Sequence, residues 1–157
     1  RPSYEDRLPK ANILEARIIA QLVNAIIALY ERNNLPFDSL RQLGIIVPFR
    51  RQIALVRSEI AKLCPDVAPQ LVIDTVERYQ GSQRDVIVYS FTVSRPYQLD
   101  FLTSNCFVDE DGQTVDRKLN VAITRARKQL LMTGNQNILM QNSIFARLIE
   151  RYKKKMY

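Results

Sequence analysis

A chain of 157 residues with 46% hydrophobic and 25% charged residues, four glycines and seven prolines excludes a linker-like polymer and suits one globular domain whose core needs no disulfide or metal. The absence of histidine excludes imidazole metal ligands, histidine general bases and Ser-His or Cys-His catalysis, and Cys64 and Cys106 stand too far apart for a CxxC zinc site. A net charge of +7, from 23 Lys and Arg against 16 Asp and Glu, favours a polyanionic partner (nucleic acid, nucleotide phosphates or an anionic membrane face), with plain surface solvation as the bland alternative.

No signal-peptide pattern is present and no apolar run reads as long enough to span a membrane, so a reducing, cytoplasmic setting is expected. The chain begins at Arg1 without a Met and is expected to be a piece of a longer protein.

Residues 10–33 read as a helix: Asn12 can cap it, Glu15 is placed as a capping-box partner, and Ala16, Ile19, Leu22, Val23, Ile26, Ile27 and Tyr30 follow helical spacing. Residues 43–47 (LGIIV) form a continuous apolar run, the pattern of a parallel strand buried on both faces, closed by Pro48. A helix follows, with Ile53, Val56, Ile60 and Leu63 inward and Pro65 as its stop. Strands are expected at 71–73 and 85–92, separated by a polar loop over 75–84. Residues 94–116 make a long, turn-rich connection with a surface turn at 109–112.

Asp116 can cap a helix running to about residue 127, with Leu119, Ala122, Ile123 and Ala126 as its core face. A strand at 129–133 is stopped by Gly134 and Asn135, and Ser143 caps a last helix ending in the basic tail Arg151, Lys153, Lys154 and Lys155. Alternating strands and helices predict a parallel α/β sheet covered on both faces. Ligands of such sheets sit beyond the carboxyl ends of the strands, where the loops after Val47, Ile73 and Thr92 emerge.

Three segments carry chemistry. In 73–85, Gly81 lets the backbone approach a ligand, and Thr75, Gln80 and Gln83 are neutral groups suited to phosphate or ribose; an ordinary turn has the same composition. In 116–127, Arg125 and Arg127 flank the helix stripe on opposite sides, Arg125 beside Lys118 and Arg127 beside Asn120, so one can enter a cleft while the other faces elsewhere. In 44–53, Phe49, Arg50 and Arg51 could meet nucleic acid by stacking and charge, or Phe49 could pack in the core with the arginines solvated.

Taken together and in this order, the segments resemble the C-terminal motor domain of superfamily 1 helicases, in the branch of nonsense-mediated-decay RNA helicases and Okazaki-fragment nuclease-helicases. GIIVPFRRQI resembles motif IV, DTVERYQGSQRDVIVYSF motif V and LNVAITRARKQLLMTGN motif VI; the match runs over about 44–135. The resemblance implies a RecA-like, P-loop NTPase-like three-layer α/β sandwich with a mainly parallel sheet, formed by 1–157 as a single motor domain. It implies that Arg125 is an arginine finger reaching the γ-phosphate of ATP held by another domain. Gln80 and Gly81 would lie near the nucleotide phosphates, and Thr75, with Pro48, Phe49 and Arg50 of motif IV, would meet the nucleic acid. Arg127 is left for structural pairing.

Two positions depart from the family pattern. Gln83 stands where a Glu often hydrogen-bonds ribose, and its amide can still donate or accept. Val47 stands where a hydroxyl often precedes Pro, so that hydroxyl's contact is lost. The chain has no G-x-x-x-x-G-K-[ST] and no D-E-x-x strand end, so ATP and Mg2+ are expected to be held mainly by an upstream RecA-like domain, and this domain alone is expected to be inactive. Single-stranded nucleic acid is the implied partner, DNA ahead of RNA because no accessory RNA-binding signature is present. A non-catalytic, basic nucleic-acid-binding module that kept the fold and lost the motor is the alternative.

Overall fold

The computed structural model describes residues 12–79, 83–102, 106–108 and 110–153. Helix α1 (Ile13–Arg32) leads through the short α2 (Ser39–Gln42) into β1 (Leu43–Val47), α3 (Arg50–Leu63), β2 (Val72–Thr75) and β3 (Arg84–Ser90). A 3-10 turn (Pro96–Gln98), α4 (Leu99–Leu102), β4 (Cys106–Val108) and β5 (Thr114–Asp116) follow, then α5 (Arg117–Arg125), β6 (Ala126–Thr133), α6 (Gln136–Leu139) and α7 (Ser143–Lys153). The main sheet has the order β2-β1-β3-β6, and every neighbouring pair is parallel.

The apolar run of β1 is buried at all five positions because the sheet is covered on both faces. Strand alternation sorts its side chains into two cores. Leu43, Ile45, Val47, Val86 and Val88 pack under α1 and α3 against Ala16, Ile19, Val23, Val56 and Ile60. On the other face Ile46, Ile87 and Tyr89 pack against Leu119 and Ala122 of α5 and Phe145 of α7. The result is the expected RecA-like three-layer sandwich.

Several boundaries differ from the sequence reading. Helix α5 stops at Arg125, because Ala126 enters the sheet opposite Arg84; Arg127 therefore lies on a strand and not on the helix flank. Ile123 is 40% exposed and Leu63 48% exposed, so neither joins the core face drawn for it. Asn142, not Ser143, caps α7: its side-chain oxygen accepts from the Ile144 and Phe145 N–H groups at 2.9 and 3.4 Å. Of the basic tail, Lys154 and Lys155 lie outside the described residues. The long connection is built, not irregular: β4 and β5 pair antiparallel, and Gly112 supplies a left-handed φ of 76° in the turn between them.

Asn12 does cap α1, accepting from the Glu15 N–H at 3.0 Å, and Gln52 holds both the N–H and the carbonyl of Asn12 at 2.8 and 2.9 Å. The carboxylate of Glu15 turns inward, away from a capping-box role, and accepts from Ser90 Oγ at 2.9 Å and Thr133 Oγ1 at 2.7 Å. By length and composition α1 also passes as a membrane span, contrary to the expectation from the sequence. Its inner face of Ala16, Ile19, Ala20 and Val23 is packed into the sheet, which makes it a core helix.

Candidate functional site

Strands β2 and β3 both pair in parallel with β1, which lies between them. The chain leaving β2 at Thr75 must therefore cross back over the sheet before β3 can begin at Arg84. It starts with a turn in which Thr75 O accepts from the Arg78 and Tyr79 N–H groups at 3.1 and 3.0 Å. The crossing separates the candidate residues. Thr75, Pro48, Phe49 and Arg50 lie at the carboxyl edge, as expected for ligands of parallel sheets. Gln83 and Arg125 lie at the amino edge, where β3 and β6 begin, so the carboxyl-end rule covers only the first group of candidates.

At the amino edge the last turn of α5 and the returning loop are tied together. Arg125 Nε donates to Tyr79 O at 3.3 Å, and Gln83 Nε2 donates to Thr124 O at 3.1 Å. Gln80 and Gly81, between these two anchors, lie outside the described residues. Arg125 is half-buried, and among the described residues no carboxylate pairs with it. Arg127 is committed: its Nε meets Asp85 Oδ1 at 3.0 Å and its Nη2 donates to Arg41 O at 2.7 Å. Two neighbouring residues define the floor of this edge and carry no sequence signal of that role. Tyr79 is buried against Gly44, and the buried Arg84 guanidinium stands 5.7 Å from the Tyr79 ring centroid.

At the carboxyl edge Pro48 is buried, Phe49 is 8% exposed and Thr75 6% exposed. Phe49 is the N-cap residue of α3 and its ring belongs to the interior; Arg50 and Arg51 are the exposed members of this segment. Asp116, at the N-cap of α5, accepts from the Lys118 N–H at 3.1 Å while its Oδ2 has no partner among the described residues. Burial pushes its carboxyl up to about 6, against the opposing backbone N–H groups of Lys118 and Leu119 and the Lys118 charge. Lys118, largely buried, reaches Glu77 at 3.5 Å. Among the described residues no group of three or more His, Cys, Asp or Glu side chains is gathered that could hold a metal ion.

The model of the AAA domain family matches residues 3–137. The Regulator of nonsense transcripts 1 of Dictyostelium discoideum is 31% identical over 148 residues, 92% of this chain and 10% of that protein. The DNA replication ATP-dependent helicase/nuclease JHS1 of Arabidopsis thaliana is 31% identical over 143 residues, 91% of this chain and 9% of that protein. The DNA replication ATP-dependent helicase/nuclease DNA2 of Bos taurus is 30% identical over 138 residues, 85% of this chain and 11% of that protein. The chain thus spans about a tenth of the length of these curated relatives. The family match over most of the chain, a parallel three-layer sandwich and the three motifs in order show that the chain belongs to the AAA domain family, as a superfamily 1 helicase-type motor domain.

Proposed function

We propose that this domain is the second motor domain of an ATP-dependent helicase or translocase acting on single-stranded nucleic acid. The observation that carries the reading is the contrast between Arg125 and Arg127. Arg125 offers a guanidinium with no carboxylate partner among the described residues, oriented through its Nε by Tyr79, while Arg127 spends its donors inside the domain. A half-buried guanidinium held this way fits the charge that develops on a transferring phosphoryl group. ATP would supply that phosphoryl group, and an upstream RecA-like domain would hold its phosphates and Mg2+. Arg125 would complete the cleft from this side, with Gln80, Gly81 and Gln83 lining it. The stretch 75–84 reaches from the nucleic-acid edge to the nucleotide edge, so a shift at one end is transmitted to the other through a single stretch of chain.

Relatives named for DNA and for nonsense transcripts both match, so the preference for DNA rests on the lack of RNA-binding signatures. The test is steady-state ATPase of the full-length protein with single-stranded DNA or RNA, for wild type and Arg125→Ala. Stimulated turnover that falls by about three to five orders of magnitude in the variant supports the finger, and the stronger stimulator names the strand. Turnover retained in the variant would hand the reading to a non-catalytic binding module.

A further inference from the structure

Between the motor motifs, the chain leaving β3 makes a turn that no motif accounts for. Thr92, a β-branched residue, sits in the left-handed region at φ 61°. Such a conformation is strained for this residue type and persists only where its surroundings over-determine it, most often at a functional segment. The surroundings here are unusually complete. Phe91 N–H donates to Thr133 O at 2.9 Å, and Ser90 Oγ and Thr92 Oγ1 share a 2.8 Å hydrogen bond. The buried Glu15 carboxylate accepts from Ser90 Oγ and Thr133 Oγ1, and the backbone of Thr92 and Phe91 also favours its charged form. On the far side, the buried Gln98 Oε1 accepts from the Ser94 and Arg95 N–H groups at 2.8 and 3.0 Å.

This frame holds a short exposed tip, residues 94–97, between buried flanks. The tip carries Arg95 and, two residues on, Tyr97, a residue that is 53% exposed. It leaves the sheet at the carboxyl edge of β3, the strand next to β1, whose own carboxyl end leads to the exposed Arg50. We propose that residues 94–97 are a strand-binding element of this edge, Arg95 taking a backbone phosphate and Tyr97 stacking on a base. A cation and an exposed aromatic on a pre-ordered backbone are the two parts that single-strand binding uses, one for the phosphate and one for any base. The element supplies the stacking surface that Phe49, buried, does not offer. This inference rests on the reading of the domain as a nucleic-acid motor.

The test is fluorescence anisotropy of labelled oligo-dT and oligo-U with the full-length protein, without nucleotide, across a salt series. Arg95→Ala is expected to flatten the slope of log affinity against log salt by about 0.7, the share of one phosphate contact on a single strand. Tyr97→Ala is expected to weaken binding about tenfold and Tyr97→Phe to leave it near wild type. Arg32→Ala, removing a charge at the exposed end of α1, controls for net charge and should leave the slope unchanged. If wild type binds the strand and loses its ATPase in Arg125→Ala, while Arg95→Ala keeps the slope and Tyr97→Ala keeps the affinity, the element is refuted and the motor stands. If wild type binds neither oligonucleotide, both fall.

Discussion

Tyr79 lies over Gly44 so closely that a β-carbon on Gly44 would fall inside the tyrosine hydroxyl and 2.8 Å from Cζ. The glycine is there for space: it lets the returning loop settle on β1, and the same tyrosine then presents its carbonyl to Arg125 at 3.3 Å. Gly44→Ala is therefore expected to destabilise the fold by about 1–3 kcal/mol through overpacking and to displace the carbonyl that orients Arg125. The denaturation midpoint and ATPase should fall together. The Tyr79 hydroxyl is buried and has no hydrogen-bond partner among the described residues. Tyr79→Phe alone should leave stability unchanged or raise it by up to about 1 kcal/mol, since an unmet polar group is removed with its desolvation cost.

Arg125 and Arg127 are two residues apart and should separate cleanly in mutagenesis. Arg127 bridges Asp85 and the Arg41 carbonyl, joining the start of β6 to the start of β3 and the end of α2. Arg127→Ala is expected to lower stability by about 1 kcal/mol, a modest figure because the arginine is partly exposed. Arg125→Ala should leave the denaturation midpoint in place and remove nucleic-acid-stimulated ATPase. Urea titrations run beside turnover assays on both variants check the split; a midpoint that moves more for Arg125→Ala would contradict it.

The apolar run of β1 and the stripe of α1 made the layers legible in the sequence, because a strand buried on both faces reads as a continuous apolar run and a helix buried on one face leaves a helical periodicity. The two arginines were legible only in part. A helix carried to 127 puts them on opposite flanks, but pairing of Ala126 with Arg84 ends that helix early, and sequence spacing does not report where a strand takes over. Glu15 looked like half of a capping box, since its spacing from Asn12 fits one. Its inward turn depends on Ser90 and Thr133, far away in the chain, and no local pattern encodes that. The division of Thr75 and Arg125 between two edges follows from the parallel pairing, with Thr75 closing β2 and Arg125 immediately preceding β6.

Asp116 sets a pH dependence whose sign is fixed by its environment. Its carboxyl is raised from 3.8 to about 6 in the folded chain, chiefly by burial. Between those values the folded state holds a proton that the unfolded state has released, so this group's contribution makes stability fall as pH rises through that window. The full effect is at most on the order of 3 kcal/mol. Asp116→Asn keeps the oxygen that caps α5 and removes the charge. Its stability, followed by chemical denaturation at several pH values between about 4 and 7, should decline less than wild type over the same range; an unchanged slope would show that Asp116 is not the group responsible.

The carboxylate of Glu15 is also raised by burial, and the donors opposing that rise are headed by Thr133, followed by the Thr92 backbone, Ser90 and the Phe91 backbone. Thr133→Val keeps the shape of the side chain and deletes the 2.7 Å hydrogen bond. The charged form of Glu15 then loses a donor it cannot replace, at a cost of about 1–3 kcal/mol, whereas the protonated form needs fewer donors and loses less. Because the folded-state value moves further above the unfolded one, the variant's stability should fall more steeply with rising pH than that of wild type. Thr133→Val is thus expected to be clearly destabilised at neutral pH and closer to wild type near pH 5, an approach that combining it with Glu15→Gln should abolish. Denaturation midpoints for the single and double variants at both pH values decide the matter: a Thr133→Val deficit of equal size at the two pH values would place the energetic role of this hydroxyl in packing, not in holding a buried carboxylate.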